Sequence, residues 1–275
     1  MLKRHFKSSC LARPIVTAAA SAIVVLGLCS CQTTAPSDIT GSLGETADTS
    51  HATTPPRRDV DLLRERFRAT PDNAEVALQY GKALRATGQR AQAVAVLEQV
   101  TIAHPDNKAL LAGYGRALAD NGNFQQAFDV LSRAHTPEDP DWRILSAQGA
   151  VLDQLGRYDE ARQYYASALR IAPDEPTVLS NLGLSYVLSK DLPKAEENLR
   201  RALSHADQDA RVRANLALVV GLQGRVAEAE GIVTSGVPAD EAAANVAELK
   251  KLLSKNGRAR PGIAKLPVAS RDNND

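Results

Sequence analysis

Ala74–Pro105 reads AEVALQYGKALRATGQRAQAVAVLEQVTIAHP, and much of the chain is a set of variations on it. One helix-length segment runs to Gly88 and a second runs on to Pro105. Moved by 34 residues, the same skeleton returns. The glycine at the eighth place recurs as Gly81, Gly115, Gly149 and Gly183, with Ala217 in the fifth copy. Twelve places later stands alanine every time, as Ala93, Ala127, Ala161, Ala195 and Ala229. The units start near Ala74, Lys108, Trp142, Pro176 and Ala210, with no insertion between them.

Two antiparallel helices approach closely where one presents a tiny side chain to the other, and the eighth and twentieth places supply such residues. Larger side chains fill the space around that contact. They are Leu84, Leu118, Leu152, Tyr186 and Val220 in the first helices, and Leu97, Leu131, Tyr165, Leu199 and Val233 in the second. Gly88, Gly122, Gly156 and Gly224 fall between the helices, where a residue with positive φ ends a helix at little cost. Lys190 replaces that glycine once. Each helix is near the length at which isolated helices are marginal, so stacked neighbours must stabilise it. A helix pair repeating every 34 residues is the tetratricopeptide pattern. The expected fold is an all-α tetratricopeptide-repeat (TPR) solenoid of about five repeats, over residues 57–256, with units near 74–107, 108–141, 142–175, 176–209 and 210–238.

Both flanks of the repeats read as helix. Asp59–Ala69 (DVDLLRERFRA) places Leu63 and Pro71 34 residues before Leu97 and Pro105, so it resembles the second helix of a degenerate leading repeat. Ala239–Lys255 is amphipathic, with Val246, Leu249, Leu252 and Leu253 on one face and Asp240 and Glu241 at its start. It suits a cap over the last open face. Residues 257–275 hold Pro, Gly and charge and read as a disordered tail.

The first 30 residues have the layout of a secretory signal. Lys3, Arg4, Lys7 and Arg13 precede an apolar run from Ile15 to Leu28, which is short for a membrane span. The run ends in Leu28-Cys29-Ser30-Cys31, which resembles a bacterial lipobox with Cys31 as the diacylated new N-terminus. Cutting before Cys29 would put bulky Leu28 at the scissile position. The only other cysteine is Cys10, so the repeats contain no thiol. Ordinary secretion with a nearby cut, or an uncleaved anchor, would also fit this layout. Gln32 after the cysteine implies, by resemblance to the enterobacterial pattern, the outer membrane facing the periplasm. Residues 31–56 are rich in Ser, Thr, Ala, Gly and Pro and read as a lipidated start followed by a flexible tether.

Charge excludes one large class of partner. Residues 1–30 hold four of the 33 basic residues and none of the 32 acidic ones, which leaves 29 against 32, a net of −3. A mildly acidic body without a basic stripe argues against nucleic acid. Catalysis finds no constellation either. There is no P-loop and no GxSxG turn, and Gly113-Tyr-Gly115 lacks the third glycine of a dinucleotide fingerprint. His104, His135 and His205 stand singly near the ends of second helices, where a helix C-terminus favours them if charged. No group of ligands has metal spacing. The expectation is therefore no enzyme, no metal or cofactor and no small-molecule substrate.

What remains is a surface for protein partners. In the family, first helices line the concave face through places two, five, six, nine, twelve and thirteen. The candidates here are Gln79, Lys82, Arg85 and Arg116 in the first two units, and Ser180, Asn181, Leu184, Asn215 and Leu218 in the last two. Asn181 and Asn215 sit where the family often hydrogen-bonds a peptide backbone, and an amide suits any sequence because it both donates and accepts. Each of these side chains has a second reading, as simple exposure or as packing between repeats. The Lys/Asn clamp of chaperone-type members is absent, since Leu78 and Ala112 occupy two of its places.

A narrower resemblance lies in Thr177–Leu199 (TVLSNLGLSYVLSKDLPKAEENL), in Arg211–Glu230 (RVRANLALVVGLQGRVAEAE) and in Asn245-Val-Ala-Glu-Leu. These stretches resemble the TadD group, tetratricopeptide lipoproteins of the tight-adherence (Flp) pilus assembly system. The resemblance implies a scaffold at the outer membrane, held by its lipid anchor, that helps the secretin pore assemble or localise. The competing implication is an adaptor for another envelope machine, such as outer-membrane protein assembly or peptidoglycan enzymes.

Overall fold

The computed structural model describes residues 57–206 and 209–258. The expected signal, Cys31 and the tether fall outside these residues, as does the tail beyond Arg258. Twelve helices make up the described residues, and none of them is long and apolar enough to cross a membrane. Among those residues there is no strand, only an isolated bridge between Thr136 and Asp139.

Helix α1 (Arg57–Ala69) comes first. Five hairpins follow. They are α2 (Ala74–Ala86) with α3 (Arg90–Ala103), α4 (Lys108–Asp120) with α5 (Phe124–Ser132), and α6 (Trp142–Gln154) with α7 (Tyr158–Ile171). Then come α8 (Pro176–Leu188) with α9 (Leu192–His205), and α10 (Ala210–Leu222) with α11 (Val226–Thr234). The last described helix is α12 (Ala239–Arg258). Its last residues take in Gly257 and Arg258, which the sequence pattern assigns to the tail.

Local chemistry sets the start of every first helix. Asn73, Asn107, Asp141, Glu175 and Asp209 are its N-caps, each accepting from a backbone N–H of the first turn. These donors have no partner inside the helix, so a side-chain acceptor stabilises the end by about 0.5–2 kcal/mol. The hairpin turns use positive φ. Gly88, Gly122, Gly156 and Gly224 adopt it freely, and Lys190 takes it at φ 65°. The backbone bond pattern is the same at the exception, where Asp191 N donates to the Tyr186 carbonyl at 2.8 Å as Gln89 N does to that of Leu84 at 2.8 Å.

Inside a hairpin the eighth-place glycine is a seat. A Cβ on Gly81, Gly115, Gly149 or Gly183 would lie 2.6–2.7 Å from Leu97, Leu131, Tyr165 or Leu199. The large residue at place twenty-four therefore drops onto the glycine. Place twenty, expected as the partner, is fully buried alanine and brings its backbone instead: the carbonyls of Ala127 and Ala195 lie 3.4 and 3.1 Å from the added Cβ positions of Gly115 and Gly183.

Between hairpins, each first helix touches the first helix of the next unit, from α2 to α4 and so on to α10 and α12. Second helices touch only the helices beside them in sequence. Rows that are close on one side and apart on the other bend the array, with the first helices on the inside. At the leading end α1 packs on α2 as a second helix would, placing Leu63 and Phe67 against the core and the Phe67 ring 5.7 Å from that of Tyr80. At the far end α12 lies against α10 and α11 as a sixth first helix. Its Leu253 sits where a Cβ on Gly221 would come within 2.8 Å, and Leu249 is buried.

Candidate functional site

The row of first helices is where the sequence placed the partner groove, and the structure divides those residues in two. Gln79 is exposed, and Lys82 and Arg116 are half-buried. The rest are buried: Arg85 is 7% exposed, Ser180 0%, Asn181 2%, Leu184 2%, Asn215 4% and Leu218 2%. For these six the groove assignment is corrected, because packing between repeats has taken them.

That packing has a rule. Residues 35 apart meet across the seam between successive first helices. Asn181 Nδ2 donates to Ser146 Oγ at 3.3 Å and Asn215 Nδ2 to Ser180 Oγ at 3.1 Å. The same offset joins Arg85 Nε to Asp120 Oδ2 at 2.7 Å, a buried ion pair between α2 and α4. It also sets Leu78 against Gly113, where a Cβ would lie 2.7 Å from the leucine. The seam is thus apolar between α2 and α4 at place five, and polar from α6 to α10. The two asparagines bind neighbouring repeats with their amide N–H groups, which explains why they cannot serve a peptide backbone in this conformation. Leu184 and Leu218 pack with Leu188, and Leu252 and Leu253 of α12 lie against that cluster.

At the third hairpin the seam carries a buried carboxyl. Asp153 of α6 accepts from Tyr165 Oη of α7 at 2.9 Å and from Ser185 Oγ of α8 at 2.7 Å. Burial pushes its pKa up to about 7, against the two hydroxyl donors and the Arg162 charge, which favour the ionised form. Burial also raises Tyr165 well above the usual tyrosine value, helped by Asp153. Sequence reasoning missed this node, although a signal was present: Asp at place twelve and Tyr at place twenty-four occur in this unit alone.

The three described histidines each meet a different partner. His104 Nε2 lies 2.9 Å from the Asp72 carbonyl, and His135 Nε2 lies 3.0 Å from Gln148 Oε1, which ties the loop after α5 to α6. His205 is 3.7 Å from Asp174, which also pairs with Arg201. Among the described residues no group of His, Cys, Asp or Glu is arranged to hold a metal. A cleft of about 960 Å³ opens beside α11, floored by Leu203, Ile232 and Val237 and edged by Arg213 and Glu228. The second helix beside it, α11, has 9 residues where α9 has 14.

Stacked helix hairpins with a continuous inner row of first helices define an α-solenoid of the kind that docks other proteins. Residues 78–141 and 143–208 each match a family model described as tetratricopeptide repeat. Over those residues the chain carries tetratricopeptide repeats, and proteins built of such repeats are in general scaffolds rather than enzymes. No curated protein matches it. Among solved structures it is similar to PilW, a widely conserved type IV pilus biogenesis factor, at 17% identity and TM-score 0.59, over 70% of this chain and 90% of that one. It is similar also to the Cut9–Hcn1 hetero-tetramer of the APC/C, at 18% identity and TM-score 0.56, over 72% of this chain. It spans 41% of the length of that chain. A third is TTC0263, a thermophilic TPR protein of Thermus thermophilus, at 20% identity and TM-score 0.53, over 58% of this chain and 88% of that one. At these identities the likeness is one of fold.

Proposed function

We propose that this protein is a lipid-anchored TPR adaptor of the tight-adherence (Flp) pilus secretion machinery, held to the outer membrane through Cys31 and acting on the secretin. The observation that carries the reading is the joint presence of a lipobox-like Leu28-Cys29-Ser30-Cys31 and a solenoid whose last two units resemble the TadD group. The fold supports the adaptor part, since tetratricopeptide repeats in general mediate contacts between proteins. PilW lends support of a more general kind: a solenoid of similar fold is a pilus biogenesis factor. Two acyl chains at a cysteine suffice for stable anchoring, as each buried CH₂ contributes about 0.8 kcal/mol. The partner face includes Gln79, Lys82 and Arg116, the predicted groove residues that keep some exposure.

Deleting the gene should abolish surface pili and mislocalise the secretin, and restoring a Cys31→Ala chain should not rescue either. Normal piliation in the deletion strain overturns the reading. Recovery of murein hydrolases or barrel-assembly subunits without secretin, in a pull-down from the native host, assigns the adaptor to another envelope machine.

A further inference from the structure

We propose that the seam between the third and fourth repeats is a proton-operated joint, which closes around a neutral Asp153 and loosens when that carboxyl ionises.

Three exceptions to the repeat meet at this point. Place twelve is Arg85, Ala119, Val187 or Gly221 in the other units and Asp153 here. Place twenty-four is Leu or Val elsewhere and Tyr165 here, seated on Gly149. Place ten is Ala or Val elsewhere and Ser185 in the following unit. Their side chains converge from α6, α7 and α8, so the carboxyl bridges a hairpin to its neighbour.

The chemistry differs from that of the other buried carboxyl in the row. Asp120 receives the guanidinium of Arg85 at 2.7 Å. Asp153 receives two hydroxyls. A neutral acid still meets both, accepting from Tyr165 at one oxygen and giving its own proton to Ser185 Oγ at the other, although the two hydroxyls favour the ionised form and burial outweighs them. One cation acts on Asp153, Arg162 of α7, and its guanidinium is engaged outside the node with Asp159, with Ser189 Oγ at 3.2 Å and over the Tyr186 ring. Tyr165, also from α7, is the other titratable group that meets it, and α8 brings the hydroxyl of Ser185. Burial without an ion pair favours the proton-bound form.

The direction of the pH effect follows. A carboxyl held above its open-state pKa contributes most to the closed seam in acid, and that contribution is lost as pH rises. The window runs from the ordinary carboxylate range, near 4, to the closed-state value of about 7, and it flattens above that. Because first helices form one continuous row, opening at α6 and α8 changes how the two halves of the docking row meet.

Hydrogen exchange on the full-length protein from about pH 5 to about pH 9, corrected for intrinsic rates, tests this, with the rise of the unaltered protein falling between pH 5 and 7. Local opening of residues 150–154 and 176–188 should rise by up to about tenfold per pH unit. Asp153→Asn should hold that opening constant across the range. Ser185→Ala removes a bond that favours the ionised form, so it should carry the rise above pH 7. The proposal fails if opening at these residues is independent of pH, if Asp153→Asn keeps the slope, or if the α2–α4 seam changes equally. Should Asp153→Asn not fold, an unmoved upper limit in Ser185→Ala overturns it.

Discussion

At the scale of single residues, the repeat is a set of compensated pairs. Gly183 accepts Leu199, and an added Cβ would lie 2.7 Å from the leucine and 3.1 Å from the Ala195 carbonyl. The fifth unit carries Ala217 at the same place and the smaller Val233 opposite, and both are buried. Gly183→Ala should therefore cost about 1–3 kcal/mol by overpacking against a backbone that cannot yield. Combined with Leu199→Val it should cost less than the two changes summed, with a coupling of about 0.5 kcal/mol or more. Urea denaturation of the four proteins in that cycle measures it, and strict additivity would show that the pair is not the contact described. The glycine period was legible in the sequence. Its true partner was not, because places twenty and twenty-four recur with the same period and both suit a helix interface, and only the packed hairpin decides which one drops onto the glycine.

Elements are joined by the 35-residue rule, one step longer than the repeat, because successive first helices are staggered at their seam. It includes the buried Arg85–Asp120 pair. Removing one partner of a buried pair leaves an uncompensated charge, which typically costs about 3–5 kcal/mol. Asp120→Ala should lose up to that amount in a urea titration, and an unchanged midpoint would mean that the pair contributes nothing to the seam. The caps at Asn73, Asn107, Asp141, Glu175 and Asp209 belong to this scale too. They repeat every 34 residues in plain sight, as acceptors just before each first helix, and could have been read from sequence by their capping chemistry.

At the scale of the whole array, contacts among the described helices run only between neighbouring units, so stability should be local and additive along it. Helix α12 tests this. Its Leu249 is buried against the last unit, with Val246 and Leu253 beside it. Leu249→Ala should cost about 2–4 kcal/mol at that end by leaving a cavity. Exchange should accelerate in α10 and α11 and stay unchanged in α2 to α5; uniform acceleration would mean that the array unfolds as one unit.

Sequence alone determined the all-helical class, the hairpin unit, its period and both capping helices, because each rests on local spacing that a 34-residue repeat displays five times over. Tertiary structure decided which face each polar residue turns to. Ser180, Asn181, Leu184, Asn215 and Leu218 have the periodicity of an open groove, yet they are buried by the neighbouring unit. A helix-period pattern fixes the angle of a side chain about its own axis, whereas burial depends on how close the next axis lies. That distance is set by packing between repeats, and by pairs such as Asn215 with Ser180 that meet only once the array has formed.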